Sequence, residues 1–547
     1  MAQVDVFGGQ KSALGNALGL GAQDPRVTIA KIIRVILGFL GIMAVSLVLY
    51  GGWLWMSSGG NEQKIEDAKR ILKNAVIGLA IILASFGIAT FIINALLGAS
   101  GSGGLGGKAP GGGRGGLAAL GNGIIESHYP GRNATEIARN TKIAITFKEA
   151  VRPSDLISDT NGTGVFGDCT NPASSTTCDR ISSSTIWLFE SQYTDLQIAA
   201  DPRLKITDVR ASVATGSKTF VFKPLAPLGS ASQKIWHSVG LTKDIRKLNG
   251  SPAFGGGGGL GYKWMFEVST FIDDTSPQVE SVVPLASSTE PRNVVVQINF
   301  NEAIDPISAS GAVLDGFTNI VVNNLSAGAV ASGTFYISNE YRTVEFVTDD
   351  PCGTNSCGET IYCLPADSLL EPKAKALTAL AATDGVVDMA DNSLDGDADG
   401  NSELSPIDDY VWQFNTNDQI LLGAPRVLSI SPAQGGGVRP NDPVYATFDR
   451  GLMSYSLNTT NMKLYEVESF STAMGNFGTT AYIRHAELFD ENETYSPQFK
   501  SGIKDRYQNC YKPCGGLSCS PATGSPTPSC CNEAETSEQS WTGNSCP

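Results

Sequence analysis

Residues 281–306 read SVVPLASSTEPRNVVVQINFNEAIDP: a proline close to the start, a polar loop, an alternating apolar run, then Phe300 and the acidic Glu302. Alternation at period two is the mark of a strand with one face buried. The same landmarks open two other stretches, SHYPGRNATEIARNTKIAITFKEAVRP (127–153) and SISPAQGGGVRPNDPVYATFDRGLM (429–453). A second landmark recurs downstream of each, in GLTKDIRKLNG (240–250), GVVDMADNSLDG (385–396) and GIKDRYQNC (502–510). A third closes the first two copies, YKWMFEVST (262–270) and YVWQFNTND (410–418), with Trp and Phe two apart and so on one face of a last strand. The third copy lacks this closure and runs into a cysteine-rich tail. A repeat of roughly 120–145 residues is too long for a solenoid unit and suits a β-sandwich carrying an insertion.

The rest of the 547-residue chain fits β modules. Apolar residues make up 41%, enough for cores, while charged residues are only 17%. The net charge of −15 is uneven: residues 1–123 hold ten Lys/Arg and five Asp/Glu, so the remainder carries −20. An acidic body excludes nucleic acid as a partner, because phosphate contacts need clustered Lys and Arg. The three histidines, His128, His237 and His485, are far apart in sequence and argue against a histidine metal site or triad. There is no GxSxG elbow, HExxH, Walker loop or GxGxxG after a strand, so the chain reads as non-enzymatic.

All eleven cysteines lie at or after Cys169, in local groups: Cys169/Cys178, Cys352/Cys357/Cys363 and a dense set from Cys510 to Cys546. Local pairs at loop-like spacing read as disulfides of an oxidising compartment, with Cys169 and Cys178 closing one loop. A zinc knuckle over Cys510, Cys514 and Cys519 is the weaker alternative. The odd total predicts one unpaired thiol or further chain after Pro547.

Toward the start, 35–56 (VILGFLGIMAVSLVLYGGWLWM) and 74–98 (NAVIGLAIILASFGIATFIINALLG) carry no charge. Each is long enough to cross a hydrocarbon core as a helix. Tyr50, Trp53 and Trp55 sit at one end of the first run, where aromatic belts form. The loop between them holds Lys64, Lys69, Arg70 and Lys73, which predicts a cytoplasmic loop with both termini outside. Residues 98–123 contain 13 glycines in 26 positions and read as a linker.

Two resemblances follow. The repeat landmarks resemble bacterial Ig-like domains of the SbsA type, most clearly at Pro284, Phe300, Glu302, Asp388, Asn392, Trp412 and Phe414. The first copy departs at the turn, where Lys243-Asp244 and Asn249-Gly250 stand. The two apolar runs, with GGWLWMSSGG leaving the first and NEQKIEDAKRILKNAVIGL entering the second, resemble the small pilin subunits of type IV secretion systems over about 29–97. A large C-terminal body departs from an ordinary compact pilin.

The expected fold class is therefore mixed: an N-terminal transmembrane α-hairpin followed by all-β tandem Ig-like sandwiches. The expected division is a tail (1–28), the hairpin (29–97), the linker (98–123), two complete sandwiches (124–271 and 277–418) and a partial third with its cysteine-rich tail (424–547). The expected localisation is a multi-pass cell membrane protein with a large extracellular C-terminal region. Its expected partners are membrane lipids, further copies through the hairpin and an unidentified surface ligand. The expected role is a pilin-like surface subunit for adhesion or assembly, or else a structural part of a secretion apparatus.

One cluster carries site chemistry. In DMADNSLDGDADGNSE (388–403), Asp395, Asp397 and Asp399 alternate before Gly400, with Glu403 beyond. Oxygens at positions 1, 3, 5 and 9 suit a Ca²⁺ loop, although position 12 is Pro406 where an EF-hand needs Glu. The same residues also suit a plain Asp/Gly turn. Asp408 and Asp409 are close by, and Asp273-Asp274, at the junction of two modules, is a second acidic spot.

Overall fold

The alternating runs form strands in all three copies, and they do so in one pattern. In a computed structural model of the chain, the residues described are 119–512 without 171–176, 256–258, 356, 381, 433–436, 476–477, 486 and 492. The chain divides into two units, Met1–Gly112 and Gly113–Pro547, and every described residue belongs to the second.

In the first copy the strands Ile125–Tyr129, Ile143–Phe147, Thr219–Pro224 and Val209–Val213 lie side by side in that order. The second copy repeats it with Val279–Val283, Val296–Phe300, Thr343–Thr348 and Gly333–Ser338. The third does so with Val427–Ser431, Val444–Phe448, Thr480–His485 and Phe470–Gly475. The register agrees as well. Ile125 faces Phe147, Val279 faces Phe300 and Val427 faces Phe448, each followed by a bulge at the next residue. The three phenylalanines are buried because period-two alternation puts them on the inner face.

A second sheet covers that inner face. In the first copy it is Ile186–Glu190, Ile235–Thr242 and Leu260–Val268. Leu188, Val239 and Trp264 from it share one core with Ile143 and Phe220 of the first sheet. In the second copy, Ile320–Asn324, Leu369–Ala374 and Phe414–Thr416 bring Val322, Leu370 and Phe414 against Val296, Ile298 and Phe346. Each closing Trp has its indole satisfied by the opening proline of its own copy: Trp264 Nε1 donates to Pro130 O at 3.1 Å and Trp412 Nε1 to Pro284 O at 3.0 Å. In the third copy the covering layer, among the described residues, is the pair Met462–Lys463 and Gln498–Phe499.

The expected mixed class is corrected. The described architecture is β, its α-helices being Pro153–Leu156, Asp195–Ala200 and Pro306–Ala309, of four, six and four residues. No helix among the described residues is long and apolar enough to cross a membrane, which needs about 20 residues. The multi-pass membrane localisation is corrected on the same finding. Residues 29–97, on which the hairpin expectation rested, lie outside the described residues.

The sandwiches are packed against one another. Ala119 and Leu120, at the end of the glycine-rich stretch, join the first core. Asn122 Nδ2 donates to Leu464 O and Val467 O of the third sandwich, both at 3.1 Å. Glu126 accepts from the Thr459 amide and hydroxyl, both at 2.6 Å. Between the first and second sandwiches, Lys142 (side chain 3% exposed) pairs with Asp305 at 2.6 Å and Asp391 at 2.5 Å. Beside it, Ala144, Val221, Ala303, Tyr341 and Met389 form an apolar cluster. Between the second and third, the buried Glu345 accepts from the amides of Ser454 and Tyr455 and from Gln297 Nε2. A Cys357–Cys510 disulfide crosses the same junction. Cys169–Cys178 and Cys352–Cys363 close local loops.

Candidate functional site

The acidic loop of the second sandwich is built from its turn upward. The Asp388 amide donates to Asn392 O at 3.1 Å, and Asp388 Oδ1 accepts from the amides of Ala390 and Asn392, each at 2.7 Å. Asp505 does the same for Tyr507 and Asn509 in the third sandwich. The bridges Val151–Lys247, Ile304–Asp388 and Leu452–Asp505 set the correspondence between copies. They place Lys247, not Asp244, at this position of the first copy, where its ammonium meets Glu149 at 2.6 Å.

From this turn the chain runs into 395–409. The Asp395 amide donates to Pro277 O at 3.0 Å, and Asp395 Oδ2 accepts from Gln278 Nε2 at 2.8 Å and the Gly400 amide at 3.0 Å. Gly396 donates to Asp408 O at 2.9 Å, and a Cβ there would lie 2.2 Å from that oxygen. Only glycine allows this approach, and it brings the returning segment back onto the loop. Asp408 Oδ2 then accepts from the amides of Glu403 at 2.6 Å and Leu404 at 2.9 Å.

Two carboxylate groups result. Asp395, Asp397 and Asp399 have oxygens within 4.8 Å of one another, and so do Asp397, Glu403 and Asp408. Asp397 belongs to both. The sequence-expected quartet is thus brought together through Asp397, and Asp408 joins it. Desolvation and then the Asp399 carboxylate push Asp397 up; desolvation and the Asp399, Asp408 and Asp397 carboxylates push Glu403 up. Asp395 is held low: burial opposes its charge, but the bonds from Gln278, Gly400 and Ala398 outweigh it. Asp409 points elsewhere, accepting from Ala376 N at 2.9 Å and pairing with Lys373 at 2.5 Å.

A second acidic triad lies between the first and second sandwiches. Asp273, Glu302 and Asp388 also have oxygens within 4.8 Å of one another, in a pocket also lined by Tyr129, Thr141 and Phe271. Asp274 is not part of it. Burial first, then the Asp388 and Asp273 charges, push Glu302 up to about 7, and burial pushes Asp388 up to about 6. The signal for this triad was present, since Glu302 and Asp388 are both repeat landmarks. Their meeting with Asp273 depends on how the sandwiches join.

Residues 22–92 match the model of the type IV secretion system pilin family. No curated protein matches the chain. Among solved structures, the chain is similar to surface layer protein SbsC, domains 1–6, at 10% identity, covering 90% of this chain and 71% of that one, with a TM-score of 0.17. It is also similar to a chimeric titin Z1Z2 at 10% identity, covering 55% and 98%, with a TM-score of 0.18. The human desmocollin-1 ectodomain is similar at 10% identity, covering 71% and 57%, with a TM-score of 0.13. TM-scores this low carry no argument, so the pilin-family match over 22–92 is the finding that bears on function.

Proposed function

We propose that the chain is a non-enzymatic surface subunit in which a pilin-like segment assembles and a body of three bacterial Ig-like sandwiches is displayed for adhesion or surface assembly. The observation that carries this reading is the match of residues 22–92 to the type IV secretion system pilin family. The body supports it. Three copies share one strand order and one bulge position, the arrangement of a duplicated display module. Disulfides between Cys169 and Cys178 and between Cys352 and Cys363 suit an oxidising exterior. Self-association is assigned to the pilin-like segment, and contact with a surface ligand to the body.

A second reading, a structural part of a type IV secretion-like apparatus, is favoured by one feature. Each sandwich touches the other two, so the body is a block suited to holding a fixed position. Electron microscopy of the purified full-length chain separates the readings. Filaments support the first and discrete rings the second; a monodisperse single copy at all concentrations overturns both.

A further inference from the structure

Loop 395–408 concentrates five carboxylates, and among the described residues no Lys or Arg forms an ion pair with any of them. Two of the five are buried: Asp395 is 1% exposed and Asp408 0%. In each, one oxygen is used by the loop itself and the other, Oδ1, is buried with no hydrogen-bond donor. A buried carboxylate oxygen without a donor or a cation is costly, and native structures hold few of them. Both residues belong to the carboxylate groups that share Asp397. Within each group of three the oxygens lie within 4.8 Å of one another, a spacing that ligands about 2.3–2.6 Å from one Ca²⁺ can take up.

We propose that this loop binds divalent cations of the calcium class at Asp397, with the buried Asp395 and the exposed Asp399 completing one carboxylate group and the buried Asp408 and the exposed Glu403 completing the other. An all-oxygen set of this size, on a loop with glycines at 396 and 400, suits the larger ion. Mg²⁺ demands a tighter octahedron, and Zn²⁺ favours nitrogen and sulfur. Because Asp395 also holds Pro277 and Gln278, the ion fastens the first residues of the second sandwich to its last loop. The site is independent of the pilin reading.

The test uses the full-length chain, stripped with chelator and titrated with Ca²⁺ by calorimetry, with thermal unfolding measured in parallel. Wild type is expected to bind in roughly the 10⁻⁴–10⁻³ M range of extracellular modules or tighter, and to melt higher with calcium than with chelator. The variant Asp395→Asn/Asp408→Asn is expected to lose affinity by roughly tenfold or more. Asp399→Asn, at an exposed position that folding does not need, is expected to weaken binding in the same direction. Asp315→Asn, which belongs to neither carboxylate group, should bind as wild type does. No calcium-dependent heat or melting shift in wild type overturns the proposal. So does a shift that survives in both loop variants, one abolished by Glu302→Gln instead, or an equal response to Mg²⁺.

Discussion

The second sandwich meets its neighbours through two junctions of opposite chemistry. Toward the first sandwich the centre is charged: Lys142 is buried between Asp305 and Asp391, and Lys223 reaches Asp391 from the same side. Burial works against the Lys142 ammonium, yet the two carboxylates raise its pKa above the ordinary value; Asp391 is lowered to about 2 against its own burial. Toward the third sandwich the centre holds Glu345, with no ion-pair partner among the described residues, ringed by amide donors, and a disulfide closes it. Burial pushes Glu345 up to about 7 despite its bonds from Gln297, Tyr455 and Ser454. One repeat, with one strand order, thus builds one contact on ion pairing and the other on a near-neutral acid and a covalent link. The sandwich frame decides where neighbours touch, and single residues decide what the touch depends on.

Removing the covalent link is the largest break. Cys357→Ser opens a crosslink spanning 153 residues, and loop entropy of that size predicts a loss of about 5 kcal/mol. Denaturant unfolding of oxidised wild type and variant measures it, and with all disulfides reduced, Cys169–Cys178 and Cys352–Cys363 included, the two should unfold alike. Next is Lys142→Met, which leaves Asp305 without its cation and Asp391 with Lys223 alone. The expected loss is about 3 kcal/mol, the low end for a buried pair because Asp391 is partly exposed. Restoring it with Lys142→Met/Asp305→Leu would confirm that the penalty is the stranded charge.

The third contrast is in pH. Glu345 titrates near 7 when folded and in the ordinary carboxylate range when unfolded, so the native state holds its proton longer. Its contribution is fully present below about 4.5 and is lost as pH rises through about 7. Wild type should therefore lose a few degrees of melting temperature over that window relative to Glu345→Gln. A wild-type curve parallel to the variant's would remove the neutral-acid account of this junction. Glu302 has the same sign over the same window, but it is only partly buried and Arg342 offsets its neighbours. Glu302→Gln should change the slope less than Glu345→Gln does.

The strands were legible in sequence because alternation and the Pro, Phe and Trp landmarks recur at matching offsets, and the structure places those residues at matching register. The first copy's turn was read as a departure from the pattern, and the structure places Lys247 where the other copies have Asp388 and Asp505, with no composition cue to mark it. The junctions were not legible. Lys142 and Asp305 are 163 residues apart, and local grouping suggested partners within each cysteine cluster rather than Cys510 for Cys357. In the acidic loop, the D-x-D-x-D-G spacing announced Asp395, Asp397 and Asp399. Asp408 enters because Gly396 lets the backbone return, which spacing alone does not encode. The hairpin expectation rested on two uncharged runs that lie outside the described residues, and no helix among the described residues is long and apolar enough to cross a membrane.

The contact of Asn122 with the third sandwich has a mechanical consequence. The start of the described body is bonded to the third sandwich, so tension drawn on residue 119 bears on the bonds of Asn122 and Glu126 before the strands behind them. Once these bonds yield, the chain from Asn122 to Cys357 can pay out, on the order of 800 Å if drawn straight. The disulfide withholds the segment from Cys357 to Cys510, so part of the third sandwich's extension is locked away until the bond is reduced.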